Sequence, residues 1–305
     1  MNRIVIKNIV TIFILVTTIF QIGCETPNSK TNRDKIVVVS SITIINDIVR
    51  NIGKDKVEAS SICAIGTDPH TYKSVPSDSR KIASADLIFI NGFGLEGWIN
   101  KLIKASGENK PVVTVSEGII PLKDDKGHGD PDPHCWFDIS YAKIYAENIA
   151  KGLIMVDSLN NEFYKKNLTD YIAKLDSLDS WAKDEISKIP SDKRILITSH
   201  DAFRYFGKAY KIRVEALQGI STEAKPQTAD VARLVDLIKK VDLPAVFIET
   251  SVNPKLLEQI SLETNAKIGG TLYSDSIGEE SSAGNSFINA FKFNVNTIVS
   301  KLKVD

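Results

Sequence analysis

Cysteine, methionine and histidine are scarce here, at three, two and four copies in 305 residues, and the formal net charge is zero. Balanced charge leaves no cationic footprint, so a nucleic-acid partner is not expected. Three cysteines at positions 24, 63 and 135 make no disulfide framework. A Cys63–Cys135 bond is chemically allowed outside the cytoplasm, but the spacing does not establish one. The patterns H-E-x-x-H, G-x-S-x-G, C-x-x-C and the phosphate-binding P-loop are all missing. Long apolar runs are missing too. The one candidate, residues 9–20, is too short to cross a bilayer comfortably.

That run follows Arg3 and Lys7 and leads into Gln21-Ile22-Gly23-Cys24. Basic residues, an apolar stretch and a small residue before cysteine have the layout of a secretory signal. The end resembles a bacterial lipobox, although Gln21 stands where an aliphatic residue is usual. Residues 1–23 are thus expected to be a lipoprotein signal peptide, and Cys24 the lipidated first residue of the mature chain. This puts the protein outside the cytoplasm, lipid-anchored and facing the periplasm or the cell surface. Residues 24–35 are polar and read as a flexible tether.

Two of the four histidines sit in one repeated device, Asp68-Pro69-His70 and Asp132-Pro133-His134. Proline fixes its own φ and drives the preceding residue toward extended geometry, so each tripeptide is a stiff turn presenting an imidazole. His200 closes the apolar run Arg194-Ile195-Leu196-Ile197-Thr198-Ser199, where a strand would deliver it at its C-terminal edge. Three imidazoles so held suggest a metal site lacking a fourth ligand. His128, in Lys126-Gly127-His128-Gly129, has no such scaffold and reads as a solvated loop residue or a transient metal contact. Cys135 adjoins His134; in an extended segment it would point the other way, as a small buried apolar residue.

Apolar β-rich runs alternate with helical periodicity in both halves. Strands are expected at 36–39, 57–65, 86–90 and 111–115, then at 194–198, 213–217, 245–248 and, weakly, 267–270. Helices are expected near 40–51, 95–105, 140–157, 202–210, 228–240, 254–264 and 285–302, with another capped by Ser77-Asp78. Such alternation implies parallel sheets with right-handed crossovers and ligands beyond the carboxyl ends of the strands. Residues 160–188 contain neither proline nor glycine and keep apolar residues at helical spacing. At 1.5 Å per residue this helix would run about 40 Å, a strut from one domain to the next. The expected domains are 36–157 and 190–305, linked by 158–189.

Gly92-Phe93-Gly94-Leu95-Glu96-Gly97 matches the dinucleotide fingerprint G-x-G-x-x-G, with Glu117 in reach of a ribose role. It follows the third strand rather than opening the domain, so a tight strand-to-helix turn explains its glycines. Asp275, in a polar loop after the last strand, stands to its sheet as the histidines do to theirs. Three histidines plus Asp275 would fill a site, whereas catalytic zinc keeps an open position. Glu249 is then either an acceptor orienting His200 or a general base.

Taken together these motifs resemble the zinc/manganese-binding receptors of ABC transporters, a substrate-binding lipoprotein family. The matching stretches are Gly66-Thr67-Asp68-Pro69-His70-Thr71-Tyr72, Asn91-Gly92-Phe93-Gly94-Leu95-Glu96, Asp132-Pro133-His134-Cys135-Trp136-Phe137-Asp138, Thr198-Ser199-His200-Asp201-Ala202-Phe203, Gln218-Gly219-Ile220-Ser221-Thr222-Glu223 and Ser274-Asp275-Ser276. The resemblance implies two α/β lobes, each a mainly parallel sheet flanked by helices, joined by one long rigid helix with the metal in the cleft between. It implies His70, His134, His200 and Asp275 as ligands, with Glu249, Asp138 and Asp201 as outer carboxylates. It also implies a monomeric, non-enzymatic receptor handing its ion to an ABC permease. Three imidazoles favour Zn2+, with Mn2+ as the alternative. Two rivals remain: an exported metallohydrolase with Glu249 or Asp201 as base, and a metal-stabilised, adhesin-like surface protein.

Overall fold

Runs such as Leu87–Ile90 and Ile195–Thr198 are apolar along nearly their whole length, and both are almost entirely buried. Strands of that kind suit parallel sheets covered on both faces. In the computed structural model, which describes residues 34–107, 110–123 and 130–303, they lie at the centre of two such sheets. Cys24, the expected signal segment, most of the tether and His128 lie outside the described residues. Among the described residues no helix is long and apolar enough to cross a membrane.

The first sheet holds β1 (Ile36–Ser40), β2 (Val57–Ser61), β3 (Leu87–Ile90) and β4 (Val112–Thr114) in the order β2-β1-β3-β4. The second holds β5 (Ile195–Thr198), β6 (Arg213–Ala216), β7 (Ala245–Glu249) and β8 (Lys267–Leu272) in the order β6-β5-β7-β8. All six neighbouring pairs are parallel. Each half therefore begins at an inner strand, pairs once to one side and then grows to the other. The reversal falls between β1 and β3 in the first sheet and between β5 and β7 in the second, where open α/β sheets bind ligands.

The helices of the first half are α1 (Thr43–Gly53), α2 (Pro76–Ser84), α3 (Ile99–Ala105) and α4 (Ile139–Val156). The second half has α6 (Arg204–Tyr210), α7 (Thr228–Val241), α8 (Lys255–Glu263) and α9 (Phe287–Leu302). Between them runs α5 (Asn161–Ser187), 27 residues long, with no proline or glycine to bend it. Its N-terminal half is tied to the first half, where Asn167 donates to the Ile52 carbonyl at 2.9 Å. Its C-terminal half is tied to the second, where the Tyr210 hydroxyl donates to Asp179 at 2.8 Å. The strut read from the sequence is present.

Two expectations change. Ser77 does not cap α2: the helix starts at Pro76, and Asp78 in its first turn accepts from the Val75 N–H at 2.8 Å. Cys135 is buried as expected, but for a different reason, because it opens a short 3-10 turn (Cys135–Phe137) rather than continuing an extended strand. Cys63 and Cys135 are both free thiols.

Asp47 on α1 joins the two halves of the chain. Its carboxylate accepts from the Phe287 N–H at the start of α9, at 2.9 Å. Burial pushes its pKa up to about 6, against the opposing pull of that N–H and of Arg50. The folded state thus binds the proton more tightly than the unfolded chain, so the ionised carboxylate opposes folding above pH 6. That opposition disappears as the pH falls through 6 toward 4. About two units correspond to roughly 3 kcal/mol at most. Asp47→Asn, which keeps an acceptor for Phe287, should raise the melting temperature at pH 8 and have little effect near pH 4. A pH series of thermal melts would read this difference.

Candidate metal centre

Each ligand candidate is set by a local device. In both Asp-Pro-His turns the aspartate Oδ1 accepts from the histidine backbone N–H, at 2.9 Å for Asp68–His70 and 3.0 Å for Asp132–His134. Proline holds the chain in the extended geometry this closure needs. The first turn is further pinned by the Trp98 indole, which donates to the Pro69 carbonyl at 2.9 Å. In the second, Asp132 Oδ1 also lies 2.8 Å from His134 Nδ1. A ring whose Nδ1–H is taken by a carboxylate turns the lone pair of Nε2 the other way, toward the cleft.

His200 follows β5, and Glu249 ends β7, so the strand reversal puts them side by side. Glu249 Oε1 accepts from the His200 N–H at 2.8 Å, and Oε2 lies 2.6 Å from His200 Nδ1. Asp275, beyond β8, has its Oδ2 held by the Ser251 hydroxyl at 2.9 Å. The Trp136 indole packs 5.2 Å from the His134 ring and donates to the Ser274 carbonyl, joining the second turn to the Asp275 loop.

These devices converge. The four ligand atoms offered by His70, His134, His200 and Asp275 all lie within 4.8 Å of one another. His70 Nε2 is 3.2 Å from His134 Nε2, His134 Nε2 is 3.6 Å from Asp275 Oδ1, and His200 Nε2 is 3.4 Å from Asp275 Oδ2. His134 and His200 are fully buried and Asp275 is 1 % exposed, while His70 at 9 % is the ligand candidate nearest solvent. His70 alone of the four lines a 430 Å³ pocket opening between the halves, beside Phe93, Pro133 and Ile220.

Among the described residues, His200 Nε2 and Asp275 Oδ1 have no hydrogen-bond partner although both are buried. An unpartnered imidazole nitrogen and an unpartnered carboxylate oxygen, both buried, are costly unless something occupies the space they face. Burial, then the neighbouring His134, lowers the His70 pKa to about 4, so its ring is neutral at pH 7. For His200 burial acts in the same sense, but the Glu249 and Asp275 carboxylates outweigh it and raise the pKa well above the usual value. Burial would raise Asp275, yet His200 and the other two imidazoles hold it well below the ordinary carboxylate range. Neutral imidazole and ionised carboxylate are the forms that bind a divalent cation, so His70 and Asp275 stand ready while His200 gives up a proton on binding one.

Of the three outer carboxylates expected, Glu249 alone contacts a ligand candidate in the way foreseen. Asp138 instead caps α4, accepting from the Ser140 N–H at 2.9 Å and the Ser140 hydroxyl at 2.6 Å. Asp201 presents its carboxylate to Arg204 at 3.8 Å. The place given to Asp138 belongs to Asp132, which the Asp-Pro-His repeat had contained all along. Ser251 also went unforeseen, and its sequence context carries no signal for it.

The halves are bonded directly around this centre. The Ser276 hydroxyl accepts from the Gly66 N–H at 2.9 Å, Thr43 bonds to both Ser276 and the Ile277 N–H, and the Thr222 hydroxyl donates to Asp68.

Two parallel α/β lobes, a helical strut and a buried set of nitrogen and oxygen donors between the lobes define a substrate-binding protein whose site is the size of a single ion. Comparison with known proteins agrees. Residues 38–301 match the family described as ZnuA, the periplasmic zinc-uptake complex component A. The chain is 39 % identical over 280 residues to the manganese ABC transporter substrate-binding lipoprotein PsaA of Streptococcus anginosus, covering 89 % of this chain and 91 % of that one. Its fold matches the periplasmic zinc-binding protein TroA from Treponema pallidum with a TM-score of 0.84 at 30 % identity, over 88 % of this chain and all of the other. The Mn-bound periplasmic metal-binding protein of Candidatus Liberibacter asiaticus matches with a TM-score of 0.81 at 29 % identity, over the same shares. The chain belongs to the ZnuA family, the substrate-binding components of metal ABC transporters.

Proposed function

We propose that this protein is an extracytoplasmic receptor that binds Zn2+ between its lobes through His70, His134, His200 and Asp275 and delivers it to an ABC permease. The lobes are residues 36–157 and 190–305, linked by 158–189, and the receptor works as a monomer held to the membrane by a lipid on Cys24. The observation that carries this reading is the convergence of four buried ligand atoms, two from each half, within 4.8 Å. A tetrahedral zinc site with bonds of 2.0–2.1 Å has ligand-to-ligand edges of about 3.3 Å. The 3.2 Å between the His70 and His134 nitrogens matches such an edge, and the His134 and His200 nitrogens lie 3.6 and 3.4 Å from one Asp275 oxygen each. Three imidazoles also suit zinc better than manganese.

One feature favours Mn2+ as a second cargo. Both Asp275 oxygens face histidines, Oδ1 toward His134 and Oδ2 toward His200, so a chelating carboxylate would raise the ligand number and the oxygen content. The hydrolase reading loses support because Glu249 is engaged by His200 and Asp275 takes the position a water would need.

Metal analysis of the purified protein tests the proposal. Near-stoichiometric Zn2+ or Mn2+ is expected, and chelation should lower the melting temperature. At free metal a thousandfold above Kd the bound form gains about 4 kcal/mol. Unchanged melting after exhaustive chelation and reloading would contradict it. Because zinc outranks manganese in affinity at most sites, the physiological ion is read from growth. A deletion strain should fail under depletion of the cargo ion and recover when that ion alone is added.

A further inference from the structure

The glycine-rich stretch Gly92-Phe93-Gly94-Leu95-Glu96-Gly97 does more than turn the chain after β3. Glu96 is 5 % exposed, and its carboxylate turns back onto the chain it has just left. Its Oε1 accepts from the Asn91 N–H at 2.6 Å, and its Oε2 from the Gly92 N–H at 3.2 Å. Gly92 permits this reversal: its φ is +90°, and a Cβ there would come within 2.6 Å of Thr114. The residue so clamped, Asn91, follows directly on β3 and is fully buried. Its carbonyl accepts from the Ser116 hydroxyl at 2.6 Å, and its Oδ1 accepts from the Tyr145 hydroxyl at 2.5 Å. Its remaining group, Nδ2, donates across 42 residues of sequence to the Pro133 carbonyl at 3.0 Å.

Pro133 is the residue before His134. Its carbonyl is the last backbone acceptor ahead of that ligand, and it also receives the Cys135 N–H at 2.9 Å. Asp132 sets the rotation of the His134 ring, but a ring can be well oriented on a misplaced backbone. Asn91 supplies the complementary restraint, from the carboxyl end of a central strand.

We propose that Glu96 and Asn91 are positioning residues for the metal site: Glu96 fixes the Asn91 backbone, and the Asn91 carboxamide holds the Pro133 carbonyl so that His134 arrives at the cleft in register with its partners. Neither residue touches the ion. This inference rests on the metal-receptor reading and adds a role for residues it did not use.

A double-mutant cycle with His134 tests it, using Zn2+ competition titration on the full chain and thermal melts of each metal-free variant. Asn91→Ala should lower Zn2+ affinity by about 10–100-fold, as loss of an outer partner does at other metal sites. The same substitution placed in His134→Ala should cost nothing further, because its effect passes through that imidazole. A residue that merely supports the fold would weaken both backgrounds equally, and that result, or wild-type affinity in Asn91→Ala, overturns the proposal. Should Asn91→Ala not fold, Asn91→Asp keeps the shape while removing the donor, and carries the same comparison. Glu96→Gln, which retains one acceptor, should lie between wild type and Glu96→Ala. Failure of the receptor reading itself looks different: wild type and His134→Ala would then be equally unable to bind Zn2+.

Discussion

Asp275→Ala is expected to reduce Zn2+ affinity by far more than 100-fold, the upper end of the effect of losing an outer partner. Asp275 is the one anionic member of the proposed set. Without it a doubly charged cation would sit among three almost wholly buried rings with no carboxylate in contact, only Asp132 and Glu249 behind His134 and His200. The His200 nitrogen 3.4 Å away and the His134 nitrogen 3.6 Å away would also lose the oxygen they now face. His70→Ala should cost less, since His70 stands nearest solvent and water can take its place. Competition against a chromophoric chelator measures both. An Asp275→Ala protein that held zinc as tightly as wild type would mean three histidines and a water, the open site of a hydrolase.

The second large effect concerns cohesion rather than chemistry. Phe137 lies in the 3-10 turn just after His134, is 2 % exposed, and stacks on Phe203 with ring centroids 5.3 Å apart and planes 6° from parallel. Phe287 and Phe291 of α9 complete the cluster at 6.3 and 6.1 Å. The ring belongs to one half of the chain, and Phe203, Phe287 and Phe291 belong to the other. Phe137→Ala should therefore destabilise the protein by about 3–5 kcal/mol through lost burial and a cavity that rigid neighbours cannot fill. Urea denaturation with an unchanged m-value would register it. A loss under 1 kcal/mol would mean that the cluster collapses around the gap.

Much of this site was legible because its devices are short-range. Asp-Pro-His writes its own turn in three residues, so His70 and His134 stand out in a sequence with only four histidines. His200 is announced by an apolar strand. Asp275 has no such mark, and its assignment leaned on its place after the last strand and on family resemblance. What was not legible depends on side-chain direction across long separations. Asp138 and Asp132 both flank the second turn, and only the fold shows that one caps a helix while the other meets the imidazole. The sequence pattern starts α3 near Leu95, four residues early, because Glu96 folds back onto Asn91 and Gly92 and delays the helix until Ile99. β8 read weakly because it contains Gly269 and Gly270. A Cβ on Gly269 would meet Phe247 at 2.8 Å, and one on Gly270 would meet Thr297 at 2.7 Å. Close packing, which a one-dimensional pattern cannot express, is what the glycines serve.

Because His70 and His134 come from one half and His200 and Asp275 from the other, an ion held by all four is a rivet through two plates. Neither plate alone keeps more than two of the four side chains on it. A small opening of the plates would break a pair of bonds together, so discharge should be abrupt, with few partly unloaded molecules along the way.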